Sequence, residues 1–413
     1  MGCYGRATIV SPALDGLADS GVRFARSFCT APQCSPSRAS LHTGRYPHSA
    51  GVMGLAHAPY GWRLDPTERH VARLLAEAGY TTTLVGMQHL IERGSAHELG
   101  YQQVLPVAPA DEEALAAVAL LRELARSGRP FYLEVGFEEP HRPYDFGGAQ
   151  PDASKGVVVP PYLPDLPESR QDLAAFQGAV RQMDRGVGMI LAALDDLGIA
   201  DTTCVIFATD HGIAMPRAKC TLYDPGIEVA LLWRWPAARV HQGRVVSDLV
   251  SNVDVAPTLL EGLGLPVPAN VQGLSFWRLL QGSGYTPREQ VFAEKTFHTY
   301  YEPMRAIRTA SKKLIVNLEV STSVDVPSDV RASPIYPRML QQLDGVRLPV
   351  ELYDLLEDPW EQHNLAEEPD LASAKTDLRQ RLLRWMKETD DPVLQGPVAS
   401  PYNSAALASL QGE

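Results

Sequence analysis

The stretch TTCVIFATDHG, residues 202–212, decides the fold class. It opens with a near-continuous apolar run that is too short for a typical helix, and it ends in Asp210, His211 and Gly212. Runs of this kind are typical of strands in a parallel sheet, because helices cover both faces of such a sheet. Two more strands of the same type are predicted at TTTLVG (81–86) and PFYLEVGF (130–137).

Segments with helical apolar spacing separate these strands. They lie at 68–80, 111–128 and 168–198, and the last is long enough for one helix or two. The alternation predicts an α/β domain with a mostly parallel sheet between helices, spanning residues 1–287. From residue 288 onward the pattern changes to closely spaced short strands, QVFAEKTF, MRAIRTA and KKLIVNLEV, followed by a helix at 372–389. We therefore predict a smaller α+β domain with an antiparallel sheet over 288–413, in which 321–350 forms a long excursion between strands.

Composition excludes several classes of protein. The chain has 413 residues and a formal net charge of −12, which argues against nucleic acid as a partner. Its 5 cysteines include no C-x-x-C pair, so neither a disulfide framework nor a zinc knuckle is predicted. No uncharged apolar run approaches the ~18 residues that a membrane span needs.

Polar side chains follow three of the predicted strands. His89 follows the first strand, Glu139, His141 and Arg142 follow the second, and Asp210 and His211 follow the third. In a parallel α/β sheet, ligands bind beyond the carboxyl ends of the strands. Each residue alone is compatible with a turn or a cap, but the three strand ends together predict a functional site.

A further segment, CSPSRASLHTGR (34–45), is too polar for a core strand and is punctuated by proline and glycine. It resembles the signature of the formylglycine-dependent (type I) sulfatases, in which the cysteine is oxidised to an aldehyde. SPALDGLADSGVRFARSF and ELYDLLEDPWEQHNLAEEP are similar to other parts of that family. EEPHRPY and DHGIAMPRAKCTLYDPG are most similar to its N-sulfoglucosamine sulfohydrolase branch. The resemblance implies an alkaline-phosphatase-like fold for the large domain.

The resemblance also implies roles for individual residues. The implied catalytic set is Cys34, Arg38, His89, His141 and Lys219, the substrate-binding set is Glu139 and Arg142, and the metal set is Asp210, His211 and residue 34. The hydrated aldehyde at residue 34 would attack sulfur, as in covalent catalysis by other nucleophiles. Arg38, four residues later, would lie on the same side of a helix and hold the hydrate and the sulfate. The expected cofactor is calcium, with another divalent cation as the alternative.

Two departures from the family pattern stand out. Sulfatases begin with a buried strand that ends in paired aspartates, whereas this sequence opens with MGCYG, and Asp15 and Asp19 lie too far along to replace the pair. A missing central strand would expose edges and apolar surface on both of its neighbours. We expect that the start was assigned too late and that the natural protein is longer; the alternative is an inactive, truncated chain. In addition, Met87 stands where the family has a lysine.

These observations favour a sulfatase that acts on a sulfate ester or sulfamate of a sugar. Two alternatives stay open: a phosphoester or phosphonate hydrolase of the same superfamily, and an inactive sulfatase-fold glycan-binding protein. The implied partners are a sulfated saccharide or small sulfate ester and a formylglycine-generating or other sulfatase-maturing enzyme, and a homodimer is compatible with the sequence. The compartment is periplasmic or extracellular if a leader precedes this segment, and cytoplasmic otherwise.

Overall fold

The computed structural model describes residues 1–320, 324–343 and 347–411. The strands are β1 Val22–Phe24, β2 Ser27–Phe28, β3 Thr81–Gly86, β4 Gln103–Leu105, β5 Phe131–Gly136, β6 Val205–Ala208, β7 Leu231–Arg234, β8 Arg244–Val246, β9 Val250–Ser251, β10 Gln290–Phe297, β11 Tyr301–Thr309, β12 Lys312–Asn317 and β13 Val350–Asp354. The helices are α1 Pro12–Ser20, α2 Cys34–Thr43, α3 Val71–Glu77, α4 Ala110–Ser127, α5 Pro167–Asp196, α6 Asp224–Ile227, α7 Val255–Gly262, α8 Trp277–Leu280, α9 Ser328–Arg331, α10 Tyr336–Leu343, α11 Ala372–Glu388 and α12 Pro401–Gln411.

The first 287 residues build two main sheets, one parallel and one mixed. One has the order β4-β3-β5 with all strands parallel, and the other has the order β6-β7-β1-β8. Strand β7 runs antiparallel to both β6 and β1, while β1 and β8 are parallel. The apolar pattern predicted the three strands at their positions, but only β3 is largely buried, whereas β5 and β6 are mostly half-buried because they border the gap between the sheets. The pattern carries no information on the direction of β7. The long apolar segment at 168–198 forms one helix, α5.

A gap separates the two main sheets. Among the described strands, β5 pairs only with β3 and β6 only with β7, so each has an edge without a strand partner. A cavity of about 1180 Å³ lies along these edges, and its lining includes apolar side chains of β5, β6, α4 and α5. Unpaired strand edges and apolar side chains therefore face each other across the space between the two sheets. We call this cavity the inter-sheet slot.

Helices α4 and α5 cover one side of the slot. Leu121 of α4 and Leu194 of α5 are buried in a cluster that also takes in Leu133 of β5 and Val205 of β6. Three acidic residues in the first turn of α4 and Gly128 at its end, with φ 65°, fit the preferences of helix termini. Contacts between the two halves in this region therefore run through side chains rather than through a continuous hydrogen-bond ladder.

The C-terminal region contains a separate antiparallel sheet in the order β10-β11-β12-β13. Helix α11 covers one face of this sheet, where Trp385 stacks on Phe292 with ring centroids 4.8 Å apart. The sheet begins at Gln290, next to the predicted boundary at 287/288, which stays a prediction. Of the predicted excursion at 321–350, residues 324–343 contain α9 and α10, and residues 321–323 and 344–346 lie outside the described residues.

No helix among the residues that the structure describes is both long and apolar enough to cross a bilayer.

Candidate active site

Helix α2 presents Cys34 at its first position. Gln33 precedes it in an extended conformation, so Cys34 lies where free backbone N–H groups favour negative charge. Arg38 follows one turn later in the same helix, which is the condition for the two side chains to lie on one side. Asn252, which is buried, donates to the carbonyl and hydroxyl oxygens of Ser37 at 3.0 and 2.9 Å and fixes this first turn.

The end of β6 meets the start of α2. His211 Nε2 lies 3.3 Å from the Sγ atom of Cys34, and Arg38 Nε donates to Asp210 Oδ2 at 3.0 Å. Burial opposes ionisation of Asp210, but His211 and Arg38 outweigh it and hold the pKa of this carboxyl far below its usual range. Burial likewise raises the pKa of the Cys34 thiol, and Lys219 and His211 outweigh it, so that this pKa lies well below its ordinary value.

Lys219 and His141 form the wall of the site beside Cys34. Their Nζ and Nε2 atoms are 3.3 Å apart, and the Lys219 side chain is only 3% exposed. Burial lowers the pKa of Lys219, but the negative charges of Cys34 and Asp329 outweigh it and raise the pKa above its ordinary value. The structure therefore brings together Cys34, Arg38, His141, Asp210, His211 and Lys219 from the predicted set.

His89 lies in the same region and contacts a histidine that the sequence analysis did not select. Its Nε2 atom is 2.7 Å from His57 Nδ1, and the two rings stack with centroids 5.0 Å apart. Burial is the main cause that lowers the pKa of His57, and the neighbouring His89 adds to it. Met87 lines the cavity near these residues and brings no charge in place of the lysine of the family.

Glu139 and Arg142 make contacts within the protein. Glu139 is 2% exposed, and its Oε1 atom accepts from the Ala110 N–H at 3.1 Å and from Gln182 Nε2 at 2.9 Å. Burial raises the pKa of Glu139. The Arg142 guanidinium makes a two-pronged ion pair with Asp172 and donates from Nε to the Ala214 carbonyl at 3.0 Å. Substrate binding by these two residues stays a prediction, and the contacts seen here favour a supporting role.

A close approach of backbone at Gly136 positions the loops that carry these residues. A Cβ atom on Gly136, at the end of β5, would lie 2.1 Å from the carbonyl oxygen of Met87, just after β3. Only glycine allows the two strand ends to come this close. The loops bearing His89 and Glu139 therefore leave the sheet side by side.

Two residues of the C-terminal region belong to the site and were not predicted. His298 follows β10 and is 7% exposed; burial lowers its pKa to about 4, helped by the charges of Lys219 and Lys295. Asp329 in α9 contacts Lys219 at 2.5 Å. His298 directly follows a strand, as the predicted site residues do, but that strand belongs to the antiparallel sheet, which was not searched for such residues. No sequence signal marks Asp329, because it lies in the polar segment between strands.

Three groups in the described part of the chain place His, Cys, Asp or Glu ligand atoms close enough to hold a metal. They are Cys34 with Asp210 and His211, His42 with His70 and Glu134, and His48 with Glu294 and Asp391. In the third group the buried guanidinium of Arg305 already pairs with Glu294 and Asp391. In the second group, His70 Nδ1 accepts the N–H of Ala72, so Nε2 carries the hydrogen and has no lone pair for a metal.

The group at Cys34 has donor chemistry suited to a cation, but it is incomplete for calcium. The Nδ1 atom of His211 lies 2.7 Å from the Gly212 carbonyl oxygen, which can only accept, so Nδ1 carries a hydrogen, and Nε2 offers a lone pair to a cation when the ring is neutral. The described residues supply one carboxylate, one imidazole and residue 34, whereas calcium takes about six to eight oxygen ligands. The residues present therefore do not form a complete calcium site.

Comparison with known proteins identifies both parts of the chain. The sulfatase family profile matches residues 1–265, and the profile of the C-terminal region of N-sulphoglucosamine sulphohydrolase matches residues 215–333. The human N-sulphoglucosamine sulphohydrolase is 30% identical over 96% of this chain and 89% of its own length.

Solved structures agree in fold. A 2-O glycosaminoglycan sulfatase superposes with a TM-score of 0.75 at 22% identity, covering 97% of this chain and 91% of its own. The phosphonate monoester hydrolase of Agrobacterium radiobacter superposes with a TM-score of 0.73 at 21% identity, covering 94% and 93%. The predicted alkaline-phosphatase-like architecture is confirmed.

Proposed function

Because the chain belongs to the sulfatase family, we propose that it hydrolyses a sulfate ester or sulfamate on a sugar through a formylglycine hydrate at residue 34. The observation that carries the proposal is the meeting of α2 and β6, with Cys34 Sγ 3.3 Å from His211 and Arg38 paired to Asp210. The Sγ atom marks the position that the hydrate hydroxyls would take. The name of the human relative, with its N-sulfated glucosamine, supports a sulfated amino sugar as substrate.

The reaction divides into two displacements. In the first, one hydrate hydroxyl loses its proton to a base and its oxygen bonds to sulfur, while the bond from sulfur to the sugar oxygen or nitrogen breaks. The leaving atom takes a proton, for which His141 and His89 are the donors we propose. In the second, the other hydroxyl loses its proton, the carbon–oxygen bond to the sulfate breaks, and sulfate leaves. The aldehyde that forms adds water and becomes the hydrate again.

Charge in the site suits a sulfate group. Arg38 and Lys219 both face residue 34, and their cationic side chains can stabilise the negative oxygens of the transferring group. Each cation is paired with one carboxylate, Arg38 with Asp210 and Lys219 with Asp329. The described contacts thus hold both cations in place before substrate arrives, which avoids reorganisation during the reaction.

A divalent cation is a separate part of the proposal. We propose that Asp210 and His211 bind it together with residue 34, and that calcium is the ion, as the resemblance implies, with oxygen atoms of water and substrate as its remaining ligands. Calcium there would add positive charge beside the sulfate, and no step above depends on it. Assembly as a homodimer and export from the cytoplasm likewise stay predictions, to be tested by light scattering and by cell fractionation.

Mass spectrometry and kinetics test the main proposal. The protein is co-expressed with a formylglycine-generating enzyme, and the peptide that carries residue 34 is expected to lose about 18 Da relative to the thiol. The aldehyde-bearing protein is then assayed with N-sulfoglucosamine, 4-nitrophenyl sulfate and 4-nitrophenyl phosphate, with Cys34→Ala as the matched control that cannot form the aldehyde.

Turnover of a sulfated compound by the aldehyde form but not by Cys34→Ala supports the proposal. Confirmed aldehyde without turnover of any sulfated compound contradicts it. Faster hydrolysis of the phosphate than of either sulfated compound would favour the phosphoester hydrolase instead.

A further inference from the structure

Asp329 reaches the active site from the C-terminal region. It lies in α9, and its Oδ2 atom is 2.5 Å from Lys219 Nζ and 3.5 Å from His141 Nε2. One carboxylate oxygen thus contacts both residues that form the wall beside Cys34. Its side chain is 13% exposed, so solvent screens these contacts only in part.

The neighbours of the two ring nitrogens of His141 determine which nitrogen donates and which accepts a hydrogen bond. The Nδ1 atom of His141 lies 2.5 Å from the carbonyl oxygen of Arg142, and a carbonyl can only accept, so Nδ1 carries a hydrogen. The Nε2 atom therefore receives a hydrogen bond from the Lys219 ammonium when His141 is neutral, and donates to Asp329 when it is protonated. Asp329 accepts from Lys219 in both states, and from His141 only when His141 is protonated.

A second carboxylate fixes the segment that carries Asp329. Asp325, four residues earlier, accepts from the N–H groups of Thr299 and Tyr300 at 3.0 and 3.3 Å and lies 3.4 Å from Lys295. These contacts attach the segment to the turn after β10 in the antiparallel sheet. Asp329 is therefore held by the C-terminal sheet, while Lys219 and His141 belong to the large region that bears Cys34.

We propose that Asp329 is a positioning residue for sulfuryl transfer, which holds the Lys219 ammonium against the sulfate position and keeps His141 Nε2 at the leaving group. The inference rests on the function proposed above. While His141 is neutral, one ammonium hydrogen of Lys219 is committed to Asp329 and one to His141, which leaves the third for the sulfate. The C-terminal region thereby completes the geometry of a site whose nucleophile lies in the other region.

The leaving group distinguishes this role from a merely structural one. A sugar hydroxyl or amine needs a proton as it leaves, whereas 4-nitrophenolate is a weak base that leaves without one. Misplacement of His141 should therefore slow the sugar substrate much more than the aryl sulfate. Loss of folded protein, in contrast, lowers both rates by the same factor.

The test measures kcat and KM of Asp329→Asn and Asp329→Glu with N-sulfoglucosamine and 4-nitrophenyl sulfate, using protein with confirmed aldehyde. For Asp329→Asn we expect kcat on the sugar to fall about 10- to 100-fold. The factor by which kcat on the aryl sulfate falls should be at least about five times smaller than the factor for the sugar. Asp329→Glu, which restores the charge, should recover part of the loss. The matched control is Asp354→Asn, which removes a carboxylate of the C-terminal region that pairs with Lys312 rather than Lys219, and which should affect both substrates equally.

An equal loss on both substrates in Asp329→Asn, or kcat on the sugar within twofold of wild type, overturns the inference. Either result requires an active wild-type enzyme, so it is distinct from failure of the proposed function, in which wild type itself is inactive.

Discussion

The buried carboxyl of Glu113 should make the stability of the protein fall as pH rises. Glu113 is 1% exposed, its Oε1 atom accepts the Ala108 N–H at 2.9 Å, and its Oε2 atom has no hydrogen-bond partner within the described protein. Burial raises its pKa from 4.5 to about 7, although the Ala108 contact opposes this. The folded state therefore keeps a proton that the unfolded chain has already lost between about pH 4.5 and pH 7.

The sign and size of the effect follow from this difference. Where the folded state binds more protons than the unfolded state, the free energy of unfolding decreases as pH increases. A difference of 2.5 pKa units, from 4.5 to about 7, corresponds to about 3 kcal/mol at most. Solvent near the first turn of α4 screens part of it, so we expect a loss of about 1–3 kcal/mol from pH 5 to pH 8.

Glu113→Gln removes the titration and nearly keeps the shape. The free energy of unfolding is measured by urea titration, followed by tryptophan fluorescence, at pH 5 and at pH 8. We expect it to drop between these pH values by about 1–3 kcal/mol more in wild type than in the variant. Comparing the two pH values cancels any constant cost of the amide. Glu112→Gln, on the exposed side of the same turn, is the control and should behave like wild type. The reasoning is refuted if Glu113→Gln and wild type change with pH by the same amount within about 0.5 kcal/mol.

Three further outcomes are expected. Arg142→Gln breaks the buried pair with Asp172 and should lower the free energy of unfolding by about 3 kcal/mol in urea titrations. KM should stay within about twofold of wild type. A large rise in KM at unchanged stability would instead make Arg142 a substrate contact. Asn252→Ala leaves buried groups of Ser37 without their hydrogen-bond donor. We expect about 2–4 kcal/mol of destabilisation with a parallel loss of activity. An unchanged unfolding midpoint would contradict the role of Asn252. Dialysis against a chelator should reduce the activity of the aldehyde-bearing protein and added calcium should restore it, as measured by turnover and by elemental analysis of the bound metal; full activity in metal-free protein would remove the cation from the proposal.

The sequence selected candidate residues that the structure brings together because they follow strands or belong to one dense motif. His141 follows β5, Asp210 and His211 follow β6, and Cys34 and Arg38 belong to the motif that forms α2, while their catalytic roles stay predictions. The ends of β5 and β6 reach the same site although the two strands belong to different sheets, so the rule for strand ends predicted their proximity without knowledge of tertiary contacts.

The remaining site residues depend on contacts that no local pattern encodes. Asp329 reaches Lys219 only because the C-terminal sheet packs beside the large region, at a sequence separation of 110 residues. His57 lies in an irregular segment, and its pairing with His89 is set by tertiary structure. The direction of β7 is another case, since apolar runs are alike in parallel and antiparallel buried strands.

The inter-sheet slot has a consequence for how the molecule can move. Because no ladder of hydrogen bonds joins β5 to β6, the packing of α4 on α5 connects the two halves of the core. His141 belongs to one half and Asp210 to the other, so the active site lies across the boundary between the two halves. A small slide along that boundary would change the distance between proton donor and nucleophile, so the packing of α4 on α5, together with the contacts of Asp329, helps to keep the catalytic groups aligned.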